Sequence, residues 1–313
     1  MDNSFSAPPP FAGIATFGRA RLTTDPFGAD VGILGVPYDS STSYRGGTRF
    51  GPRAIREQSL LLWGYNNALQ AAPFRELKVV DVGDADIVPV DIVATHRCIQ
   101  AAAAQVLDAG ATLITLGGDH SITLPLLREH ARVHGPLAVV HFDAHPDTWD
   151  SEYPGHRYSH GTPFVRAIEE DLIQRDAYVQ LGIRGPTGGP QDYADALRLG
   201  VRMITLDEFR TRTMQDVLAE VRSLVGSRPL YVTLDIDCVD PAFAPGTGTP
   251  EVGGLTSYEI LQLVRGLRGL SCVGFDLVEV SPPYDHAGIT SILAANLAFE
   301  FLSLLALARR TAP

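Results

Sequence analysis

The chain has 313 residues, of which 45% are hydrophobic and 19% charged, enough to bury the core of one large α/β domain or two small ones. Its formal net charge is −11, which argues against nucleic acid and anionic membranes as partners and favours the approach of a cationic small molecule. Lys78 is the only lysine, so Schiff-base chemistry and a phosphate-binding P-loop lysine are not expected.

The sequence carries no clear targeting signal. No run approaches the ~18 consecutive apolar residues of a membrane span. Residues 1–12 lack the basic-then-apolar pattern of a secretory signal. The three cysteines, Cys98, Cys238 and Cys272, are odd in number and have no paired spacing, which fits reduced thiols in a cytoplasmic protein.

Residues 1–30 are expected to form an N-terminal arm, because Pro8-Pro9-Pro10 prevents a helix there. Short apolar runs then predict eight strands, at residues 31–35, 78–82, 112–116, 137–142, 178–183, 201–205, 230–236 and 272–277. Helices are predicted between most of these strands, at residues 92–108, 122–134, 191–199, 215–224 and 257–267, with others opening at Gly51-Pro52 and spanning 287–309.

This alternation of strands and helices predicts a parallel sheet with right-handed crossovers. Eight strand–helix pairs also fit a TIM barrel, and the long loops after Gly35, Asp147 and Asp237 do not separate the two architectures. Since no repeat, linker or break in composition divides the chain, residues 1–313 are expected to form a single domain.

Ligand-type side chains are concentrated after the fourth predicted strand, where Asp143, His145 and Asp147 occupy every second position. In an extended chain this alternation puts the three side chains on one side, at the carboxyl end of a strand, where α/β sheets place their chemistry. Carboxylate and imidazole ligands without a nearby thiolate suit a hard or borderline divalent metal. The alternative for this stretch is a polar loop that caps a helix.

Two further strand ends add ligands of the same type. Asp235 and Asp237 lie two residues apart on the seventh strand, and burying both carboxylates without a cation would be costly. His120 follows the glycine turn after the third strand. Together these side chains are too many for one open catalytic metal, which keeps about three protein ligands. They suit two metals that share carboxylates, with Mn²⁺ favoured ahead of Zn²⁺ because the ligation is rich in oxygen.

Several motifs, in this order, resemble the ureohydrolase (arginase/agmatinase) family, above all its agmatinase-like branch, which includes guanidinobutyrases and proclavaminate amidinohydrolases. The motifs are Gly-Gly-Asp-His-Ser at 117–121, His-Phe-Asp-Ala-His-Pro-Asp at 141–147, Ser-His-Gly-Thr-Pro-Phe at 159–164, Asp-Ile-Asp-Cys-Val-Asp-Pro at 235–241 and Asp-Leu-Val-Glu-Val-Ser-Pro at 276–282. The resemblance covers most of the chain, and nothing in the ligand set departs from the family pattern.

The resemblance implies a three-layer α/β/α fold with an eight-stranded, mainly parallel sheet, and a centre that holds two Mn²⁺ ions per subunit, with other divalent metals such as Ni²⁺ possible. On the matching positions, two carboxylates would bridge both ions and two more side chains would complete each ion: Asp143 and Asp235 as the bridges, His120 and Asp147 on one ion, His145 and Asp237 on the other.

The resemblance also implies three catalytic residues. His160 matches the family's proton-shuttle histidine, and Glu279 matches the carboxylate that clamps the guanidinium group of the substrate. Asp147 would orient the attacking oxygen in addition to binding metal. His141 has the same alternation phase as Asp143, and we expect it to hydrogen-bond a ligand carboxylate.

The implied reaction splits a guanidino compound into urea and an amine, with agmatine as the leading substrate and putrescine as its product. Guanidinobutyrate and a proclavaminate precursor stay open, because Arg157 and Arg184 could bind an acidic tail. Guanidine or alkylguanidines also stay open, because the sequence does not identify the pocket for the substrate tail. A metal-dependent deacylase, as in the histone-deacetylase relatives, and a non-catalytic subunit are the alternatives from other classes. A homo-oligomer, trimer or hexamer, is expected from the resemblance alone, and Tyr44 and Arg45 could edge a neighbouring site in it.

Overall fold

A parallel sheet organises the computed structural model, which describes residues 9–311. Within that range the sheet has nine strands, in the order β1-β3-β2-β4-β9-β8-β5-β6-β7. The strands are β1 (Arg21–Leu22), β2 (Val31–Gly35), β3 (Val79–Asp84), β4 (Thr112–Leu116), β5 (Leu137–Phe142), β6 (Ile173–Leu181), β7 (Arg202–Ile204), β8 (Leu230–Asp235) and β9 (Cys272–Val278). Because β1 and β7 are free edges, the sheet is open and the TIM-barrel alternative is wrong.

The structure adds one strand to the predicted eight and lengthens another. The extra strand, β1, lies in the predicted N-terminal arm and pairs with β3 through Arg21 and Val80. Two residues are too few to give a periodic signal, so the sequence could not reveal it. The strand β6 begins at Ile173 rather than at 178, because the polar residues at 174–176 hide its start. The first eight residues of the arm, with Pro8, lie outside the described residues.

Ten α-helices connect or flank the strands within the described range. They are α1 (Gly51–Ser59), α2 (Pro73–Glu76), α3 (Ile92–Asp108), α4 (Thr123–His134), α5 (Pro163–Glu169), α6 (Pro190–Arg198), α7 (Leu206–Arg210), α8 (Met214–Val225), α9 (Ser257–Gly266) and α10 (Ile289–Thr311). Side chains fix several helix starts: Asp91 caps α3, and Thr256 with Glu259 forms a capping box at α9.

Side chains of β5 alternate between two hydrophobic cores, one on each face of the sheet. Ala138, Val140 and Phe142 belong to the core that also contains buried residues of α1, α8, α9 and α10. Leu137 and Val139 belong to the core that contains residues of α3, α4 and α5. A strand buried on both faces reads as one continuous apolar run, as this one does. The predicted three-layer α/β/α architecture is therefore confirmed.

The terminal helix α10 is long and mostly apolar. Among the described residues, Ile289–Arg310 is long and apolar enough to cross a membrane, with a mean hydropathy of 1.8 over its best window. In the fold, 78% of that window is buried, and Phe301 stacks on Phe275 of β9 with ring centroids 4.5 Å apart. The apolar character of α10 is thus accounted for by its place in the core.

A buried ion pair ties α1 to the sheet, and its aspartate also binds the N-terminal arm. The Nε and Nη2 atoms of Arg56, on α1, each donate to an oxygen of Asp81 at 2.9 Å, and Nη1 donates to Asp84. The same Asp81 carboxylate accepts a hydrogen bond from the backbone N–H of Phe17 at 2.9 Å. Asp81 is completely buried, so its charge depends on these donors.

Replacing Arg56 with Ala should lower the free energy of unfolding by about 3–5 kcal/mol, because the Asp81 carboxylate would stay buried without its partner. Arg53→Ala is the matched control on the same helix, since Arg53 pairs with Glu57 at the surface and its loss should change stability little. Urea denaturation followed by circular dichroism measures both. Equal midpoints for the two variants would contradict the assigned role of Arg56.

Candidate active site

Four adjacent central strands, β4, β9, β8 and β5, end at the same edge of the sheet. Because parallel strands present their carboxyl ends together, side chains that follow these strands meet there. His120 follows β4, Glu279 follows β9, Asp235 ends β8, and Asp143 and Asp147 follow β5. The strand order thus brings residues distant in sequence to one point.

The Nδ1 atom of the His120 imidazole faces three carboxylates. This atom lies 2.9 Å from Asp147 Oδ2, 3.1 Å from Asp143 Oδ2 and 3.3 Å from Asp235 Oδ2. Despite these distances, Nδ1 has no hydrogen bond of acceptable geometry within the described residues. One nitrogen and three oxygens that converge without a proton between them form the donor set expected of a cation site.

The other ring nitrogen of His120 fixes the tautomer. Nε2 lies 2.9 Å from Thr233 Oγ1, and the Thr233 hydroxyl donates its own proton to Asp276 Oδ1 at 2.6 Å. Because that proton is committed to Asp276, Thr233 Oγ1 accepts the N–H of Nε2. In the neutral ring, Nδ1 is left with a free lone pair directed at the carboxylates, as metal ligation requires.

His145 forms the second half of the cluster. Its Nδ1 atom lies 3.0 Å from Asp237 Oδ2 and 3.5 Å from Asp143 Oδ1. Asp143 therefore presents Oδ2 to His120 and Oδ1 to His145, and it stands between the two halves. All six side chains predicted as ligands are brought together around these two imidazoles. Two groups of three residues meet the geometry of an ion site and share Asp143: one is His120, His141 and Asp143, and the other is Asp143, His145 and Asp237.

The route by which the chain delivers these side chains differs from simple strand alternation. Asp147 lies in the left-handed region, with φ of +47°, so the chain turns back after β5 rather than continuing extended. Asp237 lies in a short 3-10 helix, Ile236–Cys238, rather than on a strand. The expectation of two aspartates on one face of an extended β8 is therefore wrong in geometry, although both carboxylates reach the cluster.

His141 forms a hydrogen bond with a carboxylate of the cluster. Its Nε2 atom lies 2.7 Å from Asp143 Oδ2, and its Nδ1 atom lies 3.0 Å from the hydroxyl of Tyr178. Complete burial lowers the pKa of His141 to about 4, so the ring is neutral at physiological pH. The hydrogen bond to a ligand carboxylate expected from the sequence is present.

The raised pKa values of two buried carboxyl groups indicate that positive charge would stabilise the ionised cluster. Burial, followed by the charges of Asp237 and Asp143, raises the pKa of the Asp235 carboxyl well above its usual range. Burial, followed by the charge of Asp143, raises the pKa of Asp147 to about 7. Divalent cations would let these acids ionise together. The donors are oxygen and nitrogen, since the buried Cys238 packs beside Gly182. The residues present therefore fit a metal centre of first-row ions.

Glu279 and His160 lie beside the cluster. The carboxylate of Glu279 is 1% exposed, and its Oε1 atom accepts from the backbone N–H of His120 at 2.9 Å and lies 3.0 Å from His160 Nδ1. Its Oε2 atom is buried without a hydrogen-bond partner among the described residues. Burial lowers the pKa of His160 and the Glu279 hydrogen bond raises it, to about 10 on balance.

A cavity of about 70 Å³ lies between the cluster and His160. It is lined by side chains from the cluster and from the loops above it: Ser43, His145, Asp147, Trp149, Glu152, His160, Gly161, Asp235 and Thr249. Sequence reasoning missed Ser43 and Glu152. Ser43 lies in a stretch rich in Gly, Ser and Thr, a composition that functional loops share with plain connectors, and Glu152 is one of several acids with no distinguishing neighbour.

The two arginines considered for an acidic substrate tail are engaged elsewhere. Arg184 donates to backbone carbonyls, including those of Asp237 at 2.8 Å and Glu251 at 2.6 Å. These hydrogen bonds stabilise the loop after β8. Arg157 is 61% exposed and pairs with Glu169 at 2.7 Å. Neither guanidinium lines the cavity.

Replacing Thr233 with Val should weaken Mn²⁺ binding roughly 10–100-fold, because His120 would lose the acceptor that fixes its tautomer. Thr115→Val on the neighbouring strand β4 is the matched control, since the hydroxyl of Thr115 is buried without a hydrogen-bond partner among the described residues. Titration calorimetry on metal-free protein measures both. Unchanged affinity in the Thr233 variant would rule out this function for the hydroxyl.

Comparison with known proteins agrees with this geometry. A model of the arginase family matches residues 29–303. The guanidinopropionase of Pseudomonas aeruginosa is 48% identical over 298 residues, which are 95% of this chain and 93% of the relative. The agmatinase of Shigella sonnei is 45% identical over 294 residues, which are 93% and 92%. The solved structure of the proclavaminate amidino hydrolase from Streptomyces clavuligerus is 47% identical, with a TM-score of 0.92, and covers 96% of this chain and 100% of that one. The chain therefore belongs to the arginase family, as a hydrolase of carbon–nitrogen bonds.

Proposed function

We propose that the protein is a binuclear-metal amidinohydrolase that cleaves a linear guanidino compound to urea and an amine. The observation that carries this proposal is the free Oε2 atom of Glu279, a buried carboxylate oxygen without a partner among the described residues, next to the metal-ligand cluster. An unpaired buried anion is costly, and a guanidinium group offers the fork of N–H donors that satisfies it.

We propose two Mn²⁺ ions, divided among the six ligands as the resemblance implies, with Asp143 and Asp235 shared. Asp143 already presents one oxygen to each half of the cluster, which supports its assignment as a bridge. When bound, the two ions supply Lewis acidity and make a water nucleophilic near neutral pH. Ni²⁺ and other first-row ions fit the same donors, so metal identity is part of the test.

The chain's own residues bind and orient the substrate. Glu279 has a φ of +62°, which holds its side chain against the cluster, and Oε1 is fixed by two donors. A guanidinium bound to Oε2 would place its carbon toward Asp147, whose carboxylate would orient the attacking water. His160 would protonate the leaving nitrogen, since an amine leaves far more readily than an amide anion.

Agmatine is the proposed substrate, because its tail is cationic. None of the described residues that line the cavity is Arg or Lys, and one of them is the acidic residue Glu152. Glu152 is 17% exposed, and its Oε2 atom accepts from Ser159 at 2.5 Å and from the N–H of Gly161 at 3.0 Å. The other oxygen of this fixed carboxylate is available to a primary ammonium group.

A guanidino acid is the second candidate, favoured by the 48% identity to a guanidinopropionase. Its carboxylate would need a cation near Glu279. The backbone of Arg45 lies near that place, since a Cβ placed at Gly248 would lie 2.8 Å from the Arg45 carbonyl and 3.8 Å from Glu279 Oε2. The Arg45 Nε atom is buried without a hydrogen-bond partner among the described residues. The Arg45 guanidinium stacks 4.9 Å from the ring centroid of Tyr284. Guanidinobutyrate, guanidinopropionate and a proclavaminate precursor share this acidic tail.

The test is urea release from agmatine, the guanidino acids, guanidine and alkylguanidines, each with Mn²⁺, Ni²⁺ and Zn²⁺, with an acetyl-lysine peptide as the deacylase probe. We expect urea from at least one guanidino compound, agmatine first, and no acetate. Deacylation of the peptide, or no urea under any condition, would contradict the proposal. An oligomer remains an expectation that this assay does not require.

In the same assay, Glu279→Gln should lower kcat/KM by at least about 10²-fold, because an amide cannot pair with the charged guanidinium as a carboxylate does. Glu129→Gln is the control, a buried glutamate on α4 whose oxygens are held by Gln100 and Arg132. Wild-type turnover in the Glu279 variant would remove the observation on which the proposed function rests.

A further inference from the structure

The loop of residues 39–49, which we call the serine loop, forms hydrogen bonds with His160. The backbone N–H of His160 donates to the carbonyl of Ser41 at 3.1 Å. The backbone N–H of Ser43 donates to His160 Nε2 at 3.0 Å, and Ser43 Oγ lies 2.8 Å from the same nitrogen. With Glu279 on Nδ1, both ring nitrogens are occupied.

The serine loop is held in place by buried acids rather than resting freely on the surface. Asp119 is completely buried, and its Oδ2 atom accepts from the N–H of Ser41 at 3.1 Å and from its hydroxyl at 2.6 Å. Asp39 accepts from the N–H of Gly47 at 2.6 Å and is paired with Arg49. Two anchors on either side of Ser43 therefore fix where its hydroxyl lies.

Only one of the two Ser43 groups on Nε2 can respond when His160 changes its protonation state. A backbone N–H can only donate, so it suits the neutral ring, in which Nε2 accepts and the proton lies on Nδ1 toward Glu279. When Nε2 carries a proton it needs an acceptor, and the Ser43 hydroxyl can rotate to provide one. Glu152 Oε1, at 3.8 Å, is beyond hydrogen-bond range.

Ser43 also faces the place where the reaction would occur. It lines the same cavity as Asp147, Asp235 and His160. Since Ser43 Oγ borders that cavity and lies 2.8 Å from His160 Nε2, a proton on that nitrogen can reach the cavity through the hydroxyl. The hydroxyl is thus a candidate intermediate in proton transfer.

We propose that Ser43 Oγ relays the proton between His160 Nε2 and the leaving nitrogen of the substrate, an inference that rests on the proposed function. In the step, the bond from the guanidinium carbon to the leaving nitrogen breaks and its electron pair stays on nitrogen. Ser43 gives its hydroxyl proton to that nitrogen and takes the Nε2 proton of His160. The serine ends the step as a neutral hydroxyl, the histidine ends it neutral, and the leaving nitrogen departs as a neutral amine. The carbon product still carries the proton of the attacking water on its oxygen, and it becomes urea when the Asp147 carboxylate takes that proton.

The test compares three variants on whichever guanidino compound the wild type cleaves. Ser43→Ala removes the hydroxyl but keeps the backbone N–H, and Ser43→Thr keeps both. Ser40→Ala is the matched control in the same loop, because the hydroxyl of Ser40 has only a 3.5 Å contact with Arg49 among its recorded hydrogen bonds. Each is measured for kcat and KM separately, with and without added imidazole as a diffusible proton carrier.

We expect Ser43→Ala to lose about 10²-fold in kcat, the lower end for general acid–base catalysis, while KM stays within about twofold. Added imidazole should restore part of the lost kcat, and Ser43→Thr and Ser40→Ala should behave as the wild type. An unchanged kcat in Ser43→Ala, or a loss that imidazole does not restore, would overturn the relay while leaving the hydrolase intact. A wild type that releases no urea would instead overturn the proposed function, and the relay with it.

Discussion

Four carboxylates and two imidazoles are crowded into one buried cluster, in which the acids repel one another. Three of the acids have one oxygen held by a backbone N–H: Asp143 by His145, Asp235 by Asp237, and Asp237 by Ala144. These bonds leave the Oδ2 atoms of Asp143 and Asp235 facing His120, and that of Asp237 facing His145, so that the carboxylates are held close together in a buried site. Folding thus stores a concentrated negative field that bound cations would relieve.

Close packing around this cluster fixes the backbone at positions where the sequence alone suggests flexibility. A Cβ at Gly118 would lie 1.8 Å from the carbonyl of Tyr38, so only glycine lets the end of β4 pass beneath the chain that leads to the serine loop. Glu279 adopts a positive φ one residue after β9. Backbone strain of this kind is held where function requires a particular side-chain direction. The site therefore draws its rigidity from the sheet below it.

The apolar runs predicted a parallel sheet and the identity of the residues at the strand ends, because buried parallel strands are apolar throughout and polar residues after them stand out. They left an open sheet and a barrel as alternatives, and the three-layer architecture was expected from the family resemblance. It could not give the local geometry. Period-two spacing suggested extended chain at Asp147 and Asp237, where the structure has a left-handed residue and a 3-10 helix. The contacts of Ser43 and Thr233 join segments more than a hundred residues apart in sequence. Glu152 has local contacts, with Ser159 and Gly161, but no sequence signal separates it from other acidic residues.

The central claim is that this cluster holds two metal ions at once. It is tested most directly by loading metal-free protein with Mn²⁺, removing unbound ion by gel filtration, and counting manganese per chain by mass spectrometry. The account predicts two Mn²⁺ per chain for the wild type, with electron paramagnetic resonance showing that the two ions are magnetically coupled through their shared ligands. One ion per chain at saturating Mn²⁺, or two ions without coupling, would contradict it.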